Sequence, residues 1–375
     1  MGKYTFGYYL KDRFSDLSAE GTDMAGLSEG GEMKRREMMM NLVDMHCDTI
    51  SRLMQCPAQE SLVNNKLCIR LDKMEKVGTL VQFFACFVHA VSYETDKGNA
   101  WNQGMKDRAI TAAAWDRAWQ AVLDMAARID QEQNEKINVA CSYEDILKNQ
   151  EQGRITAIKT VEEGGVLNGS LSRLGTLYEA GIRLMTLTWN YENCLGYPNS
   201  RDSSVMEQGL TAFGAQTVER MNELGMLVDV SHLSDGGFWD CIQISRQPIC
   251  ASHSNARALC SHPRNLTDEM LKALGENGGV AGLNFYPAFL CENGNAAVDD
   301  IARHALHMIQ VGGEDVVAIG TDFDGFDNEP RESWVNDVSD MELVWEAMYR
   351  RGITPRQIDK IKSQNALRVI KAVMK

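Results

Sequence analysis

A chain of 375 residues, 44% hydrophobic and 24% charged, carries enough apolar material for a large core and does not have the composition of a disordered or fibrous protein. Its formal charge of −14, with Lys and Arg dispersed, offers phosphate backbones no basic stripe, so nucleic acid is not an expected partner. Ten cysteines scattered through apolar runs such as FFACFV read as reduced core residues of a cytoplasmic protein, and the lack of an 18-residue apolar run argues against a membrane span.

Residues 1–38 contain the polar, Gly-bearing stretch SAEGTDMAGLSEGGEMKRRE and read as an N-terminal extension, or as sequence upstream of a true start at Met38 to Met40. MGKYTF begins like a myristoylation site, but Phe6 stands where Ser or Thr is needed, and no apolar stretch follows a basic start as in a secretory signal. Residues 39–375 are expected to form one barrel domain.

From Asn41 onward short apolar runs alternate with longer segments of helical period, the pattern of a parallel sheet with crossover helices. The runs are NLVDMHCD (41–48), LVQFFACFV (80–88), ITAIKTVE (155–162), RLMTLTW (183–189), MLVDVSH (226–232), PICASH (248–253), GVAGLNFY (279–286) and VVAIGTDF (316–323). Eight such runs predict an α/β protein of the (β/α)8 TIM barrel type. TAFGAQTVERMNELG and TDEMLKALGENG open on a capping Thr and end near a Gly, as helices do. The long connection 89–154, with its amphipathic MKDRAITAAAWDRAWQAVLDMAARIDQE, is expected to be a barrel helix lengthened by insertion. MELVWEAMYRRG and TPRQIDKIKSQNALRVIKAVMK read as closing helices.

Barrel enzymes carry their reactive side chains at the C-terminal strand ends, and polar residues gather there in this sequence. His46 and Asp48 end the first run, Glu162 the third, His232 the fifth and His253 the sixth, while Asp322 nearly ends the eighth. Residues two apart in a strand point the same way, so His46 and Asp48 can reach one ion together. Imidazole nitrogens and carboxylate oxygens suit a divalent ion such as zinc. His46, Asp48 and Glu162 would fill one site, and His232 with His253 a second, Glu162 bridging; two such ions can activate a shared water and polarise a carbonyl. Glu163 competes for the bridging place, and Glu162 is preferred because it continues the strand.

The remaining histidines read as structural. His304 and His307, three apart on a helix, belong to the outer wall; His262 lies in a loop and orients neighbours; His89 follows the second run. There is no CxxC, no GxxxxGK[ST], and VGGEDVVAIG lacks the spacing of a dinucleotide loop.

The stretches DMHCDT, TVEEGG, LMTLTWN, GLTAFGAQTVERMNELGMLVDVSHLS, ASHSNARALCSHPRNLTDEML, GLNFY and AIGTDFDG, in this order over roughly residues 41–370, resemble the renal (membrane) dipeptidase family of metallopeptidases, which have amidohydrolase-like barrels. The resemblance implies two zinc ions, His46 and Asp48 on the first, His232 and His253 on the second, Glu162 bridging. It further implies that Arg264 grips the dipeptide's free carboxylate and that Asp322 contacts the substrate amine and carries a proton to the leaving nitrogen. A homodimer is the implied assembly. In one position the sequence departs: Trp189 stands where many members have a histidine that steadies the scissile carbonyl oxygen. An indole donates one hydrogen bond but carries no positive charge, so oxyanion stabilisation falls to zinc or another donor. The expected function is a zinc-dependent dipeptidase using a metal-bridging hydroxide. The alternatives are a binuclear amidohydrolase acting on an acylated amino acid or cyclic amide, and a metal-holding barrel that has lost catalysis.

Overall fold

The structure, a computed structural model, describes residues 41–94, 110–327 and 330–375. The expectations for residues 1–40 lie outside the described residues. The described residues form nine strands: β1 (Leu42–Cys47), β2 (Thr79–Phe87), β3 (Ile137–Val139), β4 (Ile155–Glu162), β5 (Ile182–Thr186), β6 (Leu227–Asp229), β7 (Cys250–Ala251), β8 (Val280–Leu283) and β9 (Val317–Ile319). All pairings are parallel, in the order β2-β1-β9-β8-β7-β6-β5-β4, and a further β2–β4 ladder closes the cylinder. The eight sequence runs are therefore the eight barrel strands.

β1, β4 and β5 are buried along their whole length, as strands covered by helices on one side and by the barrel core on the other must be. Phe83, Phe84 and Met45 are fully enclosed, each worth about 1.5–3 kcal/mol of burial. Two expected caps are made: Thr211 accepts the Gly214 N–H at the head of helix Ala212–Leu224, and Thr267 that of Met270 at the head of Asp268–Glu276. Gly225 ends the first of these in the left-handed region at φ 79°.

Connection 89–154 departs from its reading as a lengthened helix. Besides helix Ala112–Gln131 it holds β3 and helix Tyr143–Glu151. Three residues are too few to show an alternating pattern; β3 exists because Ile137–Val139 pair with the first turn-free residues of β4, Ile155–Ala157, before β5 begins on that edge. Among the described residues no helix is long and apolar enough to cross a membrane.

β6, β7 and β9 stop short of their apolar runs, and the reason lies at the mouth of the barrel. The Ser231 and Ser252 N–H groups donate to Asp229 Oδ1 at 2.9 and 2.8 Å, and the Thr321 N–H to Asp44 Oδ1 at 2.9 Å, so the chain leaves the ladder for buried carboxylates where the polar residues begin.

Candidate active site

Two buried aspartates underlie the strand ends. Asp44 on β1 accepts both the N–H and the hydroxyl of Thr321 (2.9 and 2.8 Å), the residue before Asp322. Asp229 on β6 accepts the N–H and hydroxyl of Ser252 (2.8 and 2.6 Å), the residue before His253, and the Thr186 hydroxyl at 2.6 Å. Reciprocal backbone bonds tie β1 to the chain after β9: Asp48 N–H to Phe323 O (2.9 Å) and Asp322 N–H to His46 O (3.2 Å). His232 and Asp322 both sit in the left-handed region, φ 66° and 62°, a conformation costly for non-glycine residues that is held by the Asn199 N–H on His232 O (2.7 Å) and by the Asp322 N–H on His46 O. Glycine is required at two points around them. A Cβ on Gly320 would lie 1.8 Å from Ser252 O, and one on Gly325 would lie 2.3 Å from Asp322 Oδ1 and 2.5 Å from Asp48 Oδ2.

On this frame the expected residues converge. His46 Nε2 lies 3.3 Å from Asp48 Oδ2, 3.4 Å from Glu162 Oε2 and 3.9 Å from Asp322 Oδ1. Glu162 Oε1 lies 3.0 Å from His232 Nε2 and 3.5 Å from His253 Nε2, and those two nitrogens are 3.0 Å apart. Donor atoms of His46, Glu162 and His253 all fall within 4.8 Å of one another, as do those of His46, Asp48 and Asp322. The last grouping brings Asp322, expected as a proton carrier, as near to His46 and Asp48 as a ligand would be.

A cation fits this arrangement on the chain's own hydrogen bonding. The Ser252 hydroxyl donates to Asp229 and therefore accepts from His253 Nδ1–H at 2.7 Å, which leaves the lone pair on Nε2. His232 Nδ1 faces the Asn190 side-chain oxygen at 3.2 Å, with the same consequence. Two nitrogen lone pairs and a carboxylate oxygen then meet at about hydrogen-bond distance with no hydrogen between them. Both nitrogens of His46 and Asp48 Oδ1 are buried without an aligned partner, although carboxylates stand near. Such groups cost free energy unless a positive ion satisfies them.

The electrostatics agree at His232 and His253, while around His46 the carboxylates favour a positive charge. Burial holds His232 down to about 4 and His253 well below the usual imidazole range, with Arg264 and His46 adding to the effect, so both are neutral and able to ligate. Burial opposes charge on His46 too, but Glu162 and Asp48 outweigh it and hold that imidazole well above its ordinary value. Glu162 is carried well below the carboxylate range, burial being outweighed chiefly by the positive charge of His46 beside it. Asp322 is pushed up to about 7 by burial and by Asp48 and Glu162; its Oδ2 accepts from Asn284 Nδ2 at 3.0 Å.

Arg264 is 4% exposed. Its two terminal nitrogens donate to Ser254 Oγ (3.1 Å) and His253 O (3.0 Å), its Nε has no partner, and among the described residues no carboxylate pairs with it. Burial lowers it to about 10, where it remains a cation, so a buried positive fork stands beside the cluster ready for an anion. The Arg264 N–H donates to His262 Nδ1 at 3.2 Å, an orienting contact of the kind expected for that loop histidine.

Glu163 is turned away from the cluster. At φ 110° its carboxylate accepts from Gly165 N–H (2.7 Å), Trp189 N–H (3.0 Å) and the Asn193 side chain, and burial pushes it up to about 8. It fastens the loop that presents Trp189, whose ring centroid lies 6.2 Å from that of His232. The outer histidines are spent on structure: His304 Nδ1 accepts the Ala256 N–H (3.1 Å) while Nε2 donates to Leu290 O (3.0 Å), and His307 meets Asp268 at 2.7 Å. Asp44, Asp229, Ser252 and Asn190 were not singled out in the sequence. The acids inside the apolar runs LVDMH and LVDVSH were the available signal, since a charge in a buried strand must have partners.

Comparison with known proteins bears on this geometry. The sequence profile described as Membrane dipeptidase (Peptidase family M19) matches residues 32–375. An uncharacterised dipeptidase of Schizosaccharomyces pombe is 34% identical over 306 residues, 80% of this chain and 71% of that protein. An uncharacterised protein in the pqqA 5' region of Klebsiella pneumoniae is 36% identical over 248 residues, 64% and 89% of the two chains. A metallo peptidase from Rhodobacter sphaeroides, solved with a phosphinate mimic of the dipeptide L-Ala-D-Ala, superposes with a TM-score of 0.76 at 25% identity, covering 89% of this chain and 99% of that one. In fold, the probable dipeptidase PvdM of Pseudomonas aeruginosa matches with a TM-score of 0.74 at 20% identity over 92% and 98% of the chains. With a family profile spanning nearly its whole length and a closed amidohydrolase-like barrel, the chain belongs to the membrane dipeptidase family, M19, of metallopeptidases.

Proposed function

We propose that the protein is a zinc-dependent dipeptidase, with residues 39–375 as its catalytic unit. The observation that carries this is the meeting of His232 Nε2, His253 Nε2 and Glu162 Oε1 within 3.0–3.5 Å, lone pair against lone pair, beside His46, whose nitrogens have no aligned hydrogen-bond partner. His46 and Asp48 would hold one zinc ion, His232 and His253 the other, and Glu162, whose two oxygens face the two groups, both. When bound, such a pair lowers the pKa of water towards about 7 and polarises a peptide carbonyl.

The chain supplies the rest. Arg264 receives the substrate's C-terminal carboxylate, its fork held by Ser254 and the His253 carbonyl. Asp322, held by Asn284, contacts the substrate amine, takes the proton given up by the attacking water and returns it to the nitrogen that leaves as the C–N bond breaks. The buried ends of β1, β4, β6 and β7 exclude bulk water. The phosphinate mimic of L-Ala-D-Ala held by the Rhodobacter relative supports a dipeptide substrate. Arg264 favours a dipeptide over a cyclic amide, which lacks a free carboxylate. Ten free thiols support a reducing, cytoplasmic setting, and the family likeness supports a homodimer; neither nucleic acid nor membrane is a proposed partner.

The test is elemental analysis of the purified protein together with amino-acid release from a dipeptide panel before and after chelation. Two zinc ions per chain and turnover that disappears on chelation and returns with zinc are expected. Undiminished hydrolysis by verified metal-free protein would refute the mechanism.

A further inference from the structure

At the mouth of the barrel, across from Arg264 and Asp322, stands an arc of aromatic side chains. Phe87 ends β2 as the register partner of Glu162 on β4, and in-register neighbours project from the same face of a sheet, so the Phe87 ring points into the cup as Glu162 does. Trp189, three residues past the end of β5, lies 5.0 Å from Phe87 between ring centroids, 5.1 Å edge-on from His89 and 5.8 Å from Tyr191. The arc is held in shape. The Trp189 N–H is tied to Glu163, the Tyr191 hydroxyl accepts the Ala90 N–H at 2.7 Å, and buried Trp115 stands behind Tyr191 at 6.1 Å. Phe87, His89, Trp189 and Tyr191 are each partly exposed, and among the described residues the four bring no acidic or basic side chain to the arc other than the imidazole of His89.

Strand order decides which part of a substrate meets this face. Around the cylinder, β9, β1, β2, β4 and β5 follow one another. A dipeptide with its amine at Asp322 after β9 and its carboxylate at Arg264 after β7 carries its N-terminal residue on the side that runs through β1 to Phe87 and Trp189. We infer that Phe87, Trp189, His89 and Tyr191 form the pocket for the side chain of the dipeptide's N-terminal residue and select large apolar and aromatic side chains there. The inference rests on the dipeptidase reading above. It also gives Trp189 a use: an indole in place of an imidazole exchanges a charged hydrogen-bond donor for apolar surface on which a substrate side chain can stack.

The experiment measures kcat/KM of the zinc-loaded full chain for Gly-Ala, Ala-Ala, Leu-Ala, Phe-Ala and Lys-Ala, with Ala-Gly, Ala-Leu and Ala-Phe as a mirror series. Phe-Ala and Leu-Ala are expected to exceed Gly-Ala by about tenfold or more, the discrimination an apolar pocket exerts over a missing hydrocarbon group. Trp189→Ala and Phe87→Ala should each reduce that ratio to about threefold or less, Trp189→Phe should restore most of it, and the mirror series should keep its ratios. Thermal melting and zinc content check each variant. If Phe87→Ala does not fold, the Trp189 pair carries the comparison. A first-position ratio that survives Trp189→Ala overturns the inference, and so does a preference for Lys-Ala, which would make the arc a cation box. Hydrolysis of every dipeptide at equal rates removes this inference alone, whereas hydrolysis of none removes the dipeptidase reading and the inference with it.

Discussion

Asp44 on β1 and Asp229 on β6 do the same thing on opposite sides of the cup: each takes the N–H and the hydroxyl of the residue that precedes a site residue on the next strand, Thr321 in one case and Ser252 in the other. The two edges then part. Ser252 passes the contact on to His253 Nδ1 at 2.7 Å, so the carboxylate sets which nitrogen carries the lone pair. Thr321 makes no such link, and both nitrogens of His46 are without an aligned partner. The β6–β7 edge is thus organised by the protein alone, whereas the β1–β9 edge has its imidazole placed by carboxylates and, on the proposed reading, would need an ion to complete it. A hydrogen bond to the far nitrogen raises ligand basicity and locks the ring, so the two edges should hold metal differently.

The largest effect is expected where the edges meet. Glu162 contacts His46 through one oxygen and His232 through the other, so Glu162→Gln and His232→Ala should remove turnover and bound zinc together. Their loss should exceed the about 10–100-fold carried by outer-shell partners. A fully active His232→Ala enzyme would show the β6–β7 edge to be unneeded. Next comes Asp322→Asn, expected to lower kcat by about 10²–10⁴-fold, the range of a general acid, while zinc content stays near that of the parent; loss of zinc instead would make Asp322 a ligand of the β1–β9 edge.

Smaller effects sharpen the contrast itself. Ser252→Ala should weaken zinc retention against a chelator series by about 10–100-fold at one site. Thr321→Val, which removes the matching hydroxyl on the other edge, should leave retention unchanged and cost about 1 kcal/mol of stability in urea unfolding. Equal losses of zinc in both would erase the distinction drawn between the edges.

The smallest effect on activity belongs to His304, whose nitrogens are both used by backbone groups. His304→Gln should keep near-normal turnover. Burial depresses this histidine from the ordinary imidazole value of 6.5 to about 4. A folded-state pKa below the unfolded one means that its contribution is whole above about pH 6.5 and lost as pH falls towards 4. The stability gap between parent and variant in urea should therefore narrow by about 2 kcal/mol between pH 7 and pH 5; a gap independent of pH would show that His304 does not titrate this way.

The eight runs were legible because a buried parallel strand reads as a near-continuous apolar run bounded by helical segments, a pattern confined to neighbouring residues. His46, Asp48, Glu162, His232 and His253 could be read as a set because each ends such a run. Strand β3 could not, since its three residues exist as a strand only against Ile155–Ala157. The choice of Glu162 over Glu163 was available from strand continuity, but what Glu163 does instead, accepting from Trp189 and Asn193, depends on a loop some thirty residues away.

By itself, then, the sequence determined the barrel, the strand ends that carry its chemistry and the kinds of donor gathered there, since alternation, capping and the position of a residue within a run are local properties. Only the tertiary structure decided which nitrogen of His253 faces inward, that Asp44 and Asp229 brace the two edges, that Arg264 is a buried cation without a carboxylate partner among the described residues, and that Phe87 and Trp189 share a wall. Most of those rest on contacts between groups tens to hundreds of positions apart, and even the neighbouring Ser252–His253 bond takes its direction from Asp229 on another strand, so the geometry comes into being only when the cylinder closes.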